Sequence, residues 1–121
     1  MKDFRVYLVH ILDSIEKIEK YTAQGRDDFF AQEMAQDAVI RNMEIIGEAA
    51  KRIPLNIRDT HTDIPWHKMA GLRDILIHDY EGVNLARVWD VVEHDLAPVK
   101  LAIARMLPPL DQLEREIAGE E

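Results

Sequence analysis

The segment RDILIHDY, residues 73–80, places three polar side chains at the end of an apolar helical run. Its centre, residues 75–77, is an aliphatic triplet of the kind that a helix buries in a core. Arg73, His78 and Tyr80 are not ordinary core residues, because a buried charge or polar ring needs a partner. We therefore expect a helix that buries its aliphatic residues and presents these three groups to something else.

Helical periodicity extends to both sides of this segment. Apolar residues recur at spacings of three and four, which is the pattern of one buried helix face. The stretches with this pattern are residues 4–21, 28–52, 66–76 and 85–107. Strand-like alternation does not persist over five or more residues. Because helices with short connections pack as antiparallel neighbours, we predict an all-α fold, a four- to five-helix antiparallel bundle.

Local signals predict where the helices begin, end and break. Asp3 and Asn84 are candidate caps, since their side-chain oxygens can accept from the free N–H groups of a first turn. Gly25 suits a positive φ after the first helix. The second helix is long enough for a break near residues 33–36, and Pro98 should kink the last helix or start a new segment.

Residues 54–64 are rich in turn-forming residues and are predicted to be an irregular connection. Asp63 is a candidate cap for the helix that follows, with Pro65 in the first turn, where a missing N–H costs nothing. We predict one helical domain over residues 1–109. Residues 110–121 are predicted to be an acidic C-terminal tail, frayed or only a weakly anchored helix.

Composition bounds the class of protein. With 121 residues, of which 47% are hydrophobic and 31% charged, the chain can form one domain with a substantial core. Its apolar runs are far shorter than the ~20 residues of a membrane span, and its N-terminus lacks a secretory apolar region. The chain has no cysteine, which excludes disulfides, thiolate catalysis and zinc–thiolate sites. We expect a cytoplasmic protein without a membrane partner.

The net charge of −8 argues against a broad nucleic-acid-binding surface, but the charge is unevenly distributed. Residues 111–121 carry a net −4, whereas residues 51–73 carry five cations against two carboxylates, a net +3. Because electrostatic fields are local at physiological salt, a basic surface can exist on an acidic molecule. Its candidate phosphate contacts, which a solvated face explains equally well, are Lys51, Arg52, Arg58 and Lys68.

Helix geometry decides which polar groups of the segment can meet. At 3.6 residues per turn, Arg73 and Tyr80 share one face, whereas Arg73 and His78 lie about 140° apart around a continuous helix. Arg73 and His78 therefore converge only if the helix ends near Ile77 or if a second chain contributes one of them. The turn signal at Gly82 favours such an ending.

Arginine and histidine together are a minimal set for phosphodiester cleavage. Arg73 offers a permanently charged fork to a phosphate, and His78, with an ordinary pKa of roughly 6.5, can transfer protons. A metal is unnecessary when an internal 2′-hydroxyl is the nucleophile, which makes the substrate RNA. Since one histidine cannot be base and acid at once, a symmetric dimer with two segments in one cleft would complete the chemistry.

A structural explanation accounts for the same residues about equally well. Arg73 can form an ion pair with an interior carboxylate such as Glu44 or Glu48, and His78 can stabilise a helix end by its charge. Asp74 then either orients one of the two or is simply solvated.

Metal ions and cofactors are not expected. The five histidines are scattered along the chain, and the neighbours Glu93, His94 and Asp95 point about 100° apart on a helix. Trp66 and Trp89 are expected in the core or in a dimer interface rather than stacked on bases.

The pattern Arg73-x4-His78-x-Tyr80 resembles the HepT-like group of the HEPN superfamily. The flanking pairs Pro65-Trp66 and Val88-Trp89 and the turn at residues 82–84 are also similar to that group. Its hallmark is an arginine, four to six residues and a histidine, with a polar residue directly after the arginine, here Asp74. The segment RNMEIIGEAA, residues 41–50, resembles the group's second helix, so the resemblance covers about residues 1–107.

This resemblance implies a helical homodimer whose segment lies in a cleft between protomers. Many members are metal-independent endoribonucleases and act as toxins of toxin–antitoxin modules, with a small nucleotidyltransferase as the antitoxin. Arg73 and His78 would then be catalytic. Tyr80 would be the modification site, where an adenylate adds bulk and negative charge that block the cleft.

We therefore predict an endoribonuclease toxin that binds RNA and its nucleotidyltransferase antitoxin, with no DNA partner. Asp74, Asn42 and Glu44 are predicted to support the catalytic pair, although Asn42 and Glu44 could equally be polar residues of an interface. The alternative function is a non-catalytic helical partner or nucleotide-binding module for the nucleotidyltransferase. A third possibility is a helical domain in which the segment is purely structural.

Overall fold

The computed structural model describes residues 3–77 and 84–119, apart from the side chains of Arg73, Ile75 and Ile77. All the regular secondary structure in this described part is helical, and the predicted all-α fold class is confirmed. Its helices are α1 (Arg5–Tyr21), α2 (Arg26–Ala31), α3 (Glu33–Lys51), α4 (Leu55–Thr60), α5 (Trp66–Ala70), α6 (Leu72–Ile77), α7 (Leu85–His94), α8 (Leu96–Ala104) and α9 (Leu110–Gly119). Within these ranges, no helix combines the length and the apolar character that crossing a membrane requires.

The core lies between α1 and α3, which pack along each other. Their fully buried side chains recur at spacings of three and four and include Leu8, Ile11, Ile15, Ile18, Val39, Met43 and Ile46. Burying each of them contributes about 1.5–3 kcal/mol. Arg52, just after α3, lies over the ring of Tyr7 near the start of α1, so the two helices run antiparallel. Helices α5 and α6 pack on α3, and α8 packs on α1.

Two of the predicted breaks are present. Gln32 has an extended backbone and separates α2 from α3, just before the predicted position. Asp95 separates α7 from α8, which places Pro98 in the first turn of α8, where it needs no N–H. In a continuous helix, the ring of Pro98 would clash with the carbonyl of His94, four residues earlier.

Of the predicted caps, that of Asn84 is confirmed, because its Oδ1 accepts from Arg87 N at 3.2 Å. Asp3 is not the N-cap of α1, which is Phe4, although its Oδ1 accepts from Arg5 N at 2.9 Å. Asp63 does not cap α5, whose first N–H, that of Trp66, bonds to the carbonyl of Ile64 at 2.8 Å. The positive φ expected for Gly25 is also present, at 92°.

The connection at residues 54–64 is more regular than predicted. It contains α4, which begins directly after Pro54, a residue well suited to a helix start. The turn-forming composition of this stretch conceals the helix, because none of the α4 side chains is fully buried and α4 has no continuous apolar stripe.

The C-terminal segment is also better ordered than predicted. Leu113 of α9 is only 2% exposed, and Glu116 Oε2 accepts from Arg5 Nη1 at 2.6 Å. Of the two predicted alternatives, a frayed segment and a weakly anchored helix, the structure thus shows a helix over Leu110–Gly119. The domain limits, residues 1–109 and 110–121, stay a prediction.

Candidate functional site

The candidate site begins on α6, a short helix held against α3. Leu72 and Leu76 lie four residues apart and are 8% and 7% exposed, so this face of α6 belongs to the core. Arg73 is the second residue of α6. Asp74, next to it, is exposed.

The histidine and the tyrosine of the segment, His78 and Tyr80, lie outside the described residues. Helix α6 is described as far as Ile77. The break before His78, and the convergence of Arg73 with His78, therefore stay predictions.

Asn42, predicted to support the site, lies on α3, the helix against which α6 packs. It is 7% exposed, and its Nδ2 donates to the carbonyl of Ala38 at 2.8 Å. This bond within α3 explains how a polar side chain is accommodated in an apolar stretch, because a buried amide needs a partner. A further role of Asn42 towards the segment stays a prediction.

Glu44, the other predicted supporting residue, is half-buried on α3. Its Oε2 lies 3.5 Å from Nη1 of Arg41, whose side chain is 70% exposed, so the pair contributes little to stability. Glu48, one turn further on, is also half-buried. The helix that supports α6 thus carries both carboxylates named in the structural explanation of Arg73.

The four cations predicted to contact phosphates lie in two places. Lys51 and Arg52 are exposed at the end of α3, where the Arg52 guanidinium lies 5.9 Å from the Tyr7 ring centroid. Arg58 of α4 and Lys68 of α5 instead line one shallow depression of about 370 Å³. The sequence places Arg58 and Lys68 ten positions apart, and it offers no local signal that they meet.

The tryptophans are packed as predicted. Trp66 is 6% exposed and its Nε1 donates to the carbonyl of His61 at 3.0 Å. Trp89 packs against Phe29, with ring centroids 5.4 Å apart, and donates to Glu93 Oε2 at 2.9 Å. Neither indole N–H is left to read a base.

A second cavity, of about 280 Å³, lies among α3, α5, α7 and α8. Its wall is mostly apolar, with Ile46, Met69 and Leu72 on one side. Its polar edge consists of Lys68 and His94 together with the carboxylates Asp63 and Asp95. Across the described ranges, no cluster of three or more His, Asp or Glu side chains could hold a metal ion.

Residues 11–106 match the protein family described as Ribonuclease HepT-like. A Methanocaldococcus jannaschii protein, whose name joins a gamma-glutamylcyclotransferase to a provisional RNase, is 48% identical over 112 residues, or 92% of this chain. The chain spans only 50% of the length of that relative. A Thermococcus cleftensis protein, provisionally named ribonuclease HepT, is 44% identical over 95 residues, which cover 78% of this chain and 86% of that protein.

A solved structure shares the fold. It contains the tri-AMPylated HEPN toxin of Shewanella oneidensis in complex with an MNT antitoxin, and it matches with a TM-score of 0.62 and 29% identity. The match covers 86% of this chain and 96% of the solved one. The predicted resemblance and the HEPN-like architecture are confirmed, and the chain belongs to the HepT-like ribonuclease family of the HEPN superfamily.

Proposed function

We propose that the chain is an endoribonuclease toxin that a nucleotidyltransferase antitoxin neutralises. The observation that carries this proposal is the family match over residues 11–106, because that range contains the complete pattern Arg73-x4-His78. The provisional RNase names of the relatives support the same activity.

In the proposed reaction, Arg73 binds the scissile phosphate and stabilises the charge that develops on it. His78 removes the proton of the neighbouring 2′-hydroxyl, whose oxygen attacks the phosphorus while the bond to the 5′-oxygen breaks. The leaving 5′-oxygen takes a proton from His78 of a second protomer. The products are a 2′,3′-cyclic phosphate and a 5′-hydroxyl, and the step needs no oxidant, reductant or metal ion.

The homodimer is part of this proposal because each protomer has one such histidine in the segment. Two protomers related by a two-fold axis would bring two segments into one cleft and supply base and acid together. Asp74 lies on the exposed side of α6 and is proposed to orient one of the two catalytic side chains.

The antitoxin is proposed to act on Tyr80. The phenolic oxygen would attack the α-phosphorus of ATP, form a phosphodiester to AMP and release pyrophosphate. Support comes from the likeness to a toxin described as tri-AMPylated and bound to an MNT antitoxin. The phosphate of an adenylate beside Arg73 would pair with the guanidinium and so prevent it from binding the RNA phosphate.

A second candidate is a non-catalytic partner of the nucleotidyltransferase. The net charge of −8 favours it, since strong RNA binding usually requires a basic surface.

Parallel tests of Arg73→Ala and His78→Ala separate the two candidates. Each purified variant is assayed for cleavage of single-stranded RNA and for complex formation with the nucleotidyltransferase. Loss of cleavage with the complex retained supports the nuclease. A wild-type protein that forms the complex but cuts no RNA favours the non-catalytic partner.

The modification is tested by mass measurement after co-expression with the nucleotidyltransferase. We expect adenylate-sized increments on the wild-type protein and their loss in Tyr80→Phe. Increments that persist in Tyr80→Phe would place the modification on another residue.

A further inference from the structure

Helices α4 and α5 border the shallow depression that contains Arg58 and Lys68. Its polar lining consists of Arg58, Asp59, Thr62, His67 and Lys68. Arg58 and Lys68 against Asp59 leave a local charge of +1. This lining therefore opposes the negative charge of the molecule as a whole, which is −8.

Arg58 is half-buried, and its Nε is buried without a hydrogen-bond partner in the described part of the chain. A buried N–H donor that lacks an acceptor is costly, so folded proteins seldom leave one unexplained. No described residue accepts a hydrogen bond from the other N–H groups of this guanidinium either, so an anion bound in the depression can accept from those groups.

Lys68 is exposed and forms no ion pair with any described residue. Other cations of this acidic chain do find carboxylates, as Lys100 does with Glu19 at 2.7 Å and Arg5 with Glu116 at 2.6 Å. The depression thus combines two cations that form no ion pair with a described carboxylate, although Asp59 in its lining offsets one of their charges. Thr62 and His67 add a hydroxyl and a ring nitrogen as further hydrogen-bonding groups.

We propose that this depression is a phosphate-binding subsite for the backbone of single-stranded RNA. The inference rests on the proposed function and deepens it by naming where the strand is held beside the reacting nucleotide. Because Lys68 precedes Arg73 by five residues and its helix, α5, contacts α6, a strand whose phosphate lies on Arg58 and Lys68 is held close to the helix that carries Arg73.

The depression favours the phosphate of a strand over a free nucleotide. Trp66, the indole in its wall, is 6% exposed and donates its N–H to the carbonyl of His61, so it offers no open ring for a base. The depression would contact only the phosphate of a mononucleotide, and the base would remain in water. The subsite should consequently bind RNA without sequence preference, because phosphate contacts carry no sequence information.

The test measures binding of a fluorescently labelled single-stranded RNA to the full chain in the His78→Ala background, where the RNA stays intact if the proposed function holds. Lys68→Gln and Arg58→Gln are compared with Lys17→Gln and Arg105→Gln, which remove the same charges from exposed positions on α1 and after α8. We expect each subsite substitution to weaken binding about 3- to 10-fold and to reduce the slope of log affinity against log salt by about 0.7, as for one lost phosphate contact. The controls should leave the slope unchanged. Because Lys68 is exposed, Lys68→Gln provides the test even if Arg58→Gln unfolds.

Two outcomes would overturn the subsite. One is an equal loss of affinity in the control variants, which would show that the loss follows from the lower net positive charge and not from a local site. The other is unchanged RNA affinity with weakened binding of ATP or inorganic phosphate, which would make the depression a site for free phosphates. RNA binding that depends on Lys68 and Arg58 would support the subsite even if the wild-type protein cut no RNA, and the nuclease proposal alone would then fail.

Discussion

Arg5 and Glu116 join the first and the last described helices, with Arg5 Nη1 donating to Glu116 Oε2 at 2.6 Å. Arg5 also donates to Asp3, and together these carboxylates raise the pKa of the guanidinium above its usual value. Glu116 accepts from Gln112 as well as from Arg5, and both bonds hold the pKa of its carboxyl below the usual value. Because Leu113 on the same helix is also buried, α9 is part of the folded structure.

Leu113→Ala should destabilise the protein by about 2–5 kcal/mol, because it removes a buried side chain and leaves a cavity. The matched control is Leu110→Ala on the same helix, where the side chain is 63% exposed. Its effect should stay within about 0.5 kcal/mol. Urea unfolding followed by circular dichroism measures both variants, and equal effects would show that α9 is not anchored through Leu113.

Glu116 should stabilise the protein at neutral pH and lose that contribution in acid. A carboxyl whose pKa is lowered on folding stabilises the native state above its unfolded pKa, roughly 4.3, and ceases to do so as the pH falls through the folded value. Glu116→Gln should therefore lower the urea midpoint at pH 7, and the difference from wild type should shrink below about pH 4. A difference independent of pH would contradict the pairing, and Glu114→Gln, exposed on the same helix, is the control.

Asn84→Ala should cost about 0.5–2 kcal/mol, because α7 loses the side-chain acceptor that Asn84 gives to Arg87 N. Asn84→Asp keeps that acceptor and should stay close to wild type. Thermal unfolding measures both. Equal destabilisation by the two substitutions would indicate that the side chain acts through something other than the cap.

Asn42→Ala should cost about 1 kcal/mol through the lost hydrogen bond to the carbonyl of Ala38. If Asn42 also supports the segment, the rate of RNA cleavage should fall several-fold even at temperatures well below the unfolding temperature of the variant. Ser14→Ala is the control, since Ser14 is a buried polar residue of α1, 3% exposed. Cleavage unchanged in Asn42→Ala would leave Asn42 with a structural role alone.

The sequence predicts those helix boundaries that depend on one residue and its adjacent backbone. Asn84 caps α7 and Pro98 forces a new start, because each acts through its own side chain and the adjacent backbone. The same rules miss α4, whose residues carry no apolar stripe. They also miss the anchoring of α9, which depends on a bond between residues 111 positions apart.

For the candidate site, the sequence predicts which residues are involved but not how the fold groups them. The sequence identifies Arg58 and Lys68 as cations of a basic stretch, along with Lys51 and Arg52. It contains no signal that the first two line one depression and that the other two do not, since this depends on how α4 folds back beside α5. The unpartnered Nε of Arg58 is likewise visible only after packing.

We propose that Arg73 and His78 cleave RNA without a metal ion, and a single cleavage assay can establish this. Purified wild-type protein and His78→Ala are incubated with a single-stranded RNA in excess EDTA, and the ends of the fragments are determined by mass spectrometry. We expect the wild type to produce fragments with 2′,3′-cyclic phosphate and 5′-hydroxyl ends. We expect His78→Ala to cut no RNA while its circular dichroism spectrum is unchanged. Equal cleavage by both proteins, or cleavage that EDTA abolishes, would contradict the proposal.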